Sequence, residues 1–347
     1  MPNKLAITLS NRIKMKALVL ENKELPLILK EVEKPFASKG EALVRILAAA
    51  INHRDLWIQK GRYAGLKYPI IPGSDGAGIV SATGDEADAG WIGKEVIINP
   101  SLGWGKSQSH QEPATFHILG LPENGCLAEW IKVPVSSLVP RPSELSFEEA
   151  AALPLAGLTA YRAVISRGNL QAGEKVLITG IGGGVALYAL QYSIAANGEV
   201  YVSSGDEEKL RRATGLGARA GFNYKKENWV GDAKARAGSF DLIIDGAGGN
   251  ELNNLLDLAK PGGRVVTYGS TLGNPGNIEL RRIFWKQLNL LGSTMGSPED
   301  FQSMVEFVRN HRIRPIVDKI FSLVNGNDAL KRMDAGHQFG KIVIRIP

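Results

Sequence analysis

The first third of the chain is patterned in short apolar or alternating runs. Lys16–Leu20, Ala42–Ile51, Gly76–Ala82, Glu95–Asn99 and Leu127–Val133 are separated by Gly, Pro, Asn and Asp. That punctuation predicts strands joined by turns. Ser101–Asn124 is polar and rich in Gly and Ser and reads as a long loop. The pattern changes after Val139-Pro140-Arg141-Pro142. Ser143–Arg167 is helical in character, and Ser146-Phe147-Glu148-Glu149 has the spacing of a capping box. Strands are then predicted at Lys175–Thr179, Glu199–Ser203, Phe240–Asp245, Arg264–Tyr268 and Leu288–Leu291. Helices are predicted between them at Gly184–Ala196, Glu207–Leu216 and Asn250–Leu258. Such alternation argues for a doubly wound α/β unit with a parallel sheet covered on both faces. After Ser297 the chain reads as helix Pro298–Asn310, strand Lys319–Leu323, helix Asp328–Asp334 and strand Lys341–Ile346.

One turn in this alternation carries candidate chemistry. Gly180, Gly182, Gly183 and Gly184, followed by Val185 and Ala186, lie between an apolar strand run and a helix. This is the context of a dinucleotide-binding loop. Glycines there turn tightly, let the backbone approach a pyrophosphate and open a helix N-terminus onto it. The strict G-x-G-x-x-G pattern fails at Val185, and G-x-x-G-x-x-A, through Gly180, Gly183 and Ala186, fits better. A site that prefers NAD places a carboxylate at the end of the second strand. Here that strand ends in Ser203 and Ser204, and Asp206 lies where it caps the next helix. Hydroxyls with Lys209, Arg211 and Arg212 nearby suit a 2′-phosphate, so NADPH is the expected cofactor.

Composition adds bounds. A chain of 347 residues predicts about two domains, and 44% hydrophobic with 22% charged residues is ordinary globular usage. The net charge of +6 suits an anionic small-molecule ligand. No basic stripe interleaved with aromatics is evident, the nearest candidate being Arg281–Lys286, which argues against nucleic acid. Cys126 is the single cysteine, so neither an internal disulfide nor a multi-thiolate zinc site can form. It reads as a small buried residue. Met1–Lys14 is basic with an interrupted apolar stretch and fits a secretory signal poorly. It reads as an extension before the first strand, with a weaker transit-peptide reading. No run is long enough for a spanning helix, and cytoplasm is the default compartment.

The order and spacing of several segments resemble the medium-chain dehydrogenase/reductase superfamily, in its zinc-lacking quinone oxidoreductase-like branch. The segments are Ala50–Trp57, Gly61–Tyr63, Pro72–Gly78, Leu153–Tyr161, the glycine loop, Asp245–Gly249, Lys260–Val266 and Leu291–Met295. The resemblance implies a Rossmann domain (141–297) inserted in a GroES-like, β-rich catalytic domain (1–140, completed by 298–347), with the cofactor in the cleft between them. It implies a homodimer paired through a strand near Leu288–Met295. Carried over residue by residue, the zinc ligands of metal-dependent relatives fall on Asn52, Ser74 and a position near Leu155, with the adjacent Glu on Asp75 and the proton-relay hydroxyl on Arg54. These do not form a zinc site, so none is expected, and His110 and His117 read as loop histidines.

Without metal or relay, hydride transfer to a quinone or α,β-unsaturated carbonyl is better supported than alcohol oxidation. Asn52 and Tyr63 are the candidate catalytic residues. The resemblance places His53 near the cofactor phosphates, Thr159 near the nicotinamide and Tyr224 near the 2′-phosphate. Gly246, Gly269 and Ser270, at carboxyl ends of later strands, are expected to line the crevice. Trp57 is a candidate pocket wall, and Asp55 reads as structural, paired with Arg54 or Arg62. The alternatives are an alcohol or aldehyde oxidoreductase and a non-enzymatic cofactor-binding role such as RNA binding.

Overall fold

A computed structural model describes residues 13–347, and the reading of the N-terminal extension falls largely outside them. The catalytic unit is built on one long strand, Glu41–Ala50, whose side chains are mostly buried. It pairs antiparallel with Asp75–Thr83 on one side and with Trp130–Pro134 and Lys341–Arg345 on the other. Glu95–Ile98 and Leu138–Pro140 extend the sheet at one end, and Val317–Ser322 extends it at the other. Lys341–Arg345 therefore returns the end of the chain to the first domain, with Val343 opposite Ala50. That return brings Lys341 beside residues almost 300 positions earlier.

The second unit is a parallel sheet of six strands. Their order is Ala220–Asn223, Glu199–Ser204, Lys175–Ile178, Phe240–Asp245, Ala259–Thr267, Asn289–Gly292. The order reverses on the two sides of Lys175–Ile178, which creates the crevice at the carboxyl ends where nucleotides bind in such sheets. The central strands are continuous apolar runs because helices cover both faces. The expected capping box forms: Glu149 accepts from the Ser146 N–H (2.9 Å) and Ser146 Oγ from the Glu149 N–H (3.2 Å). It starts helix Phe147–Ala152, which packs on the catalytic sheet. Helix Pro298–Asn310 packs on the Rossmann unit through Phe307, which meets Tyr192 at 5.6 Å and Tyr161 at 5.8 Å between ring centres.

Several elements depart from the sequence reading. The run from Leu127 enters the main sheet only at Trp130. Before that, Cys126 and Leu127 donate to the carbonyls of Gly73 and Pro72, and Leu127 accepts from the Leu18 N–H. Ser101–Asn124 contains a short hairpin, Ser101–Leu102 with His117–Ile118. A seven-residue helix, His53–Gln59, was not foreseen, because it buries Arg54 and Asp55 and so lacks an apolar face.

Candidate active site

A cleft of about 830 Å³ opens between the two units. Of the residues singled out from the sequence, Asn52, His53, Tyr63, Thr159, Gly180, Gly183, Gly184, Val185, Ser203, Ser204, Lys209, Tyr224, Gly246, Gly269 and Ser270 line it. Gly182 does not. Its outer face is covered by Lys209, whose Cδ would lie 2.7 Å from a Cβ placed there.

The glycine loop has the shape its sequence suggested. Gly180 (φ 64°) and Gly182 (φ 114°) adopt left-handed backbone that other residues resist. Gly183 then starts helix Gly184–Ala195, whose first turn lines the cleft and carries N–H groups without partners in the helix. A Cβ on Gly184 would come within 2.7 Å of Lys341 Cδ, so the lysine passes directly over the helix start. The catalytic unit also touches the loop, through the Gly340 N–H donating to Gly182 O at 3.0 Å. A nicotinamide dinucleotide fits this cradle.

At the distal end of the cleft, Asp206 caps its helix by accepting from the Glu208 and Lys209 N–H groups at 2.9 and 3.2 Å. The acid is thereby withdrawn from the strand end, where Ser203 and Ser204 are both buried. Lys209 reaches across to Gly336 O at 2.6 Å. Burial lowers its pKa, against opposition from Asp206 and Asp318. The other two cations of this helix do not join it. Arg211 pairs with Glu208 on the exposed face, and Arg212 lies 4.0 Å over the Phe339 ring. A cation missed in the sequence takes their place: a Cβ on Gly205 would sit 2.5 Å from Lys225 Cε and 3.0 Å from the Tyr224 hydroxyl. Lys225 follows Tyr224 directly, which was the available signal.

The inner end is walled by Thr159, held by donation to Leu155 O at 2.8 Å, and by Met295, whose φ is 41°. Tyr268 packs over Gly246, and burial raises its phenol pKa. His53 is open to the cleft yet ringed by protein. That desolvation, with Lys341 and Lys209 nearby, lowers its pKa and favours the neutral ring.

The floor is a buried charged network. Asp75 accepts from Leu155 N–H (2.7 Å), Asn52 Nδ2 (2.9 Å) and Lys341 Nζ (2.9 Å). Lys341 Nζ also donates to Asn52 Oδ1 (2.5 Å) and Ile51 O (2.9 Å). Beside this, Arg54 Nη1 donates to Ser74 Oγ (2.6 Å) and Leu119 O (2.7 Å), and its guanidinium lies 5.1 Å from the Tyr63 ring centre. Asp55 is structural, as expected, but its partners are the backbone N–H groups of Asn52 (2.8 Å) and Gly73 (3.0 Å) rather than an arginine side chain. Burial raises its pKa, and Arg54 and those N–H groups work against the rise. Cys126 is buried, and that burial, with Asp75 and Asp55 nearby, pushes its thiol well above the ordinary range.

The carried-over ligand positions thus hold an amide at Asn52, a hydroxyl bound by Arg54 at Ser74 and an apolar side chain at Leu155, and the adjacent position, Asp75, holds a carboxylate bound by Lys341. Among the described residues no group of three or more His, Cys, Asp or Glu side chains is placed to hold a metal ion. The residues present do not fit a catalytic zinc.

Known proteins resemble the chain on both units. Residues 38–143 match the alcohol dehydrogenase GroES-like domain family, and residues 184–310 match the zinc-binding dehydrogenase family. A zinc-type alcohol dehydrogenase-like protein, YogA, of Leptosphaeria maculans is 36% identical over 92% of this chain and 95% of its own. A chloroplastic quinone-oxidoreductase homolog of Spinacia oleracea is 30% identical over 90% of this chain and 92% of its own. The crystal structure of an NAD-dependent alcohol dehydrogenase superposes with a TM-score of 0.90 at 32% identity, covering 96% of this chain and 100% of that one. The chain is an oxidoreductase by family. It belongs to the medium-chain dehydrogenase/reductase superfamily, whose members bind a nicotinamide cofactor.

The cations of the Arg281–Lys286 stretch are largely spent within the fold. Arg282 binds Glu279 and Asp257, and Lys286 binds the carbonyls of Leu256, Asp257 and Ala259. Among the described residues no helix is long and apolar enough to cross a membrane.

Proposed function

We propose that this protein is an NADPH-dependent oxidoreductase that reduces a quinone or an α,β-unsaturated carbonyl without a metal ion. The carrying observation is the cleft floor, where Asn52 and the Lys341–Asp75 and Arg54–Ser74 pairs stand in the place of a ligand set. An already electrophilic acceptor needs no Lewis acid, only orientation and a donor for the charge that develops on oxygen. Bound NADPH supplies the hydride. Asn52 donates a hydrogen bond to the acceptor oxygen, and the Tyr63 hydroxyl gives the proton that completes the reduction. Arg54 lies beside Tyr63 and offsets the charge left there. The helix start at Gly184 and the neighbouring His53 hold the pyrophosphate. Ser203, Ser204, Lys209, Tyr224 and Lys225 surround the 2′-phosphate.

The test is a screen of quinones, enones and alcohols with each nicotinamide cofactor, with and without EDTA. NADPH-dependent reduction of a quinone or enone that survives EDTA is expected. Alcohol oxidation that is lost with EDTA and restored by zinc would sink the proposal.

The same reading includes a homodimer. Asn289–Gly292 is an open edge of the Rossmann sheet, and Leu290, Leu280, Phe284 and Trp285 beside it are exposed, the last two by 65% and 74%. Edge pairing about a two-fold axis buries both the open strand and the apolar side chains. Sedimentation equilibrium at micromolar concentration is expected to give a dimer for the native protein and a monomer for Leu290→Lys. A native monomer rejects the assignment.

A further inference from the structure

The amide of Asn52 is held in one orientation by partners that admit no other. Lys341 Nζ is donor-only, and it lies 2.5 Å from Asn52 Oδ1. The Asp75 carboxylate is acceptor-only when ionised, and its Oδ2 lies 2.9 Å from Asn52 Nδ2. Reversing the amide would set its N–H groups against the ammonium and its oxygen against the carboxylate. Both faults would be buried, since the side chains of Lys341 and Asp75 are only 4% and 0% exposed. The ammonium in turn has no freedom, because its three N–H groups are taken by Ile51 O, Asn52 Oδ1 and Asp75 Oδ2. The carboxylate is fixed by Leu155 N–H from the other side. One polar hydrogen is left over, the second N–H of Asn52, on a residue that lines the cleft.

We infer that Lys341 is a positioning residue that makes Asn52 an obligate hydrogen-bond donor to the acceptor oxygen, and so biases the cleft toward reducing carbonyl-type acceptors. The inference rests on the proposal that the cleft reduces an oxygen-bearing acceptor. A quinone or enone oxygen only accepts hydrogen bonds, and it gains negative charge as it is reduced, so a fixed donor strengthens its hold during the reaction. An alcohol must lose its proton to be oxidised, and this amide offers it no acceptor. The ammonium and guanidinium also fill the neighbourhood with fixed positive charge, which a divalent cation would have to displace.

Two readouts test this, one of them without turnover. The probe is 4-nitrophenol, titrated with the protein carrying oxidised cofactor, its visible band reporting which protonation state binds. A fixed donor selects the phenolate. The preference for phenolate over phenol is expected to fall by about tenfold or more in Asn52→Asp and in Lys341→Met, because a charge-assisted donor is lost or disoriented. In turnover, Lys341→Met is expected to lower kcat for a quinone about tenfold with the NADPH dissociation constant unchanged, and to have no further effect on an Asn52→Ala background. If Lys341→Met leaves Asp75 too exposed to the loss of its partner to fold, the double variant Lys341→Met with Asp75→Asn removes both charges and must show the same loss of phenolate preference. Phenolate preference unchanged in these variants, or losses that multiply in the Asn52→Ala background, would overturn the inference. A weakened NADPH affinity as the main effect of Lys341→Met would make the lysine a cofactor ligand instead. If the native protein reduces no quinone or enone, the functional proposal fails, while the nitrophenol titration still judges the amide.

Discussion

Replacing Arg162 with Met is expected to cost about 3–5 kcal/mol of folding stability, the range for breaking a buried ion pair from one side. The side chains of Arg162 and its partner Asp300 are 4% and 12% exposed. The guanidinium also donates to Gln108 O and Ser109 O, both at 2.9 Å, and covers the Trp104 ring at 4.9 Å. Asp300 is held as well by Ser166 Oγ and by the Ser297 N–H that closes its capping box. Removing the guanidinium therefore leaves the largely buried Asp300 carboxylate without its counter-charge and takes a donor from two loop carbonyls. These contacts fasten the 101–124 segment to the Rossmann unit. The same segment walls the cleft through Ile118 and accepts from Arg54 at Ile118 O and Leu119 O. Urea unfolding is expected to show the loss, and tryptic cleavage at Lys106 to appear in native buffer. Adding Asp300→Asn should recover much of the stability, because both charges are then gone. The contrast is Arg211→Met, which breaks an exposed pair with Glu208 and should leave the unfolding curve in place. An Arg162→Met curve that overlays the native one would show that the segment is held by something else.

The parts of the molecule legible in the sequence share a physical trait: the signal and the structure are local. The central Rossmann strands are almost wholly buried and so appear as apolar runs, and helix Pro298–Asn310 has an apolar stripe, a capping Ser297 and Pro298 at its first turn. The glycine loop needs its residue types within seven positions. What stayed hidden was either polar where apolar was sought or distant in sequence. His53–Gln59 buries Arg54 and Asp55, so helical periodicity fails there. Trp229–Ala237 turns Trp229, Ala233 and Ala237 inward, and two small residues make a faint stripe. Lys341 is the largest omission. In the sequence it is only the first residue of a last strand, yet it bonds Asn52 across 289 positions. A lysine opening an otherwise apolar strand was the one hint, since a charge at a buried position needs a partner. No spacing rule says which partner.

Cofactor choice is expected to turn on the distal end of the cleft, where one acid in place of Ser204 should reverse it. Ser204 ends the strand Glu199–Ser204, its hydroxyl accepts from the Asp206 N–H at 3.2 Å, and the next residue is a glycine against which Lys225 and Tyr224 pack. A carboxylate at this strand end accepts from the two hydroxyls of an unphosphorylated ribose and repels a 2′-phosphate. The native site has two serines there, and its acid, Asp206, is spent on capping. Ser204→Asp is therefore expected to change the ratio of NADPH to NADH affinity by about 100-fold or more, which is about 2.7 kcal/mol. Lys209 tests the opposite side. Its ammonium holds only the neutral carbonyl of Gly336, at 2.6 Å, and a dianionic phosphate is the stronger partner. Lys209→Ala is expected to weaken NADPH about tenfold and leave NADH unchanged, the modest size reflecting a lysine half open to solvent and a second cation, Lys225, packed against Gly205 at the same strand end. Nicotinamide fluorescence titrations of the three proteins with both cofactors measure all three ratios. Equal losses for both cofactors in Lys209→Ala would mean that the lysine supports the glycine loop, where it already covers Gly182, rather than reading the phosphate. A native protein that prefers NADH would remove the phosphate from this end of the cleft altogether, and the two serines would then be the partners of a bare ribose.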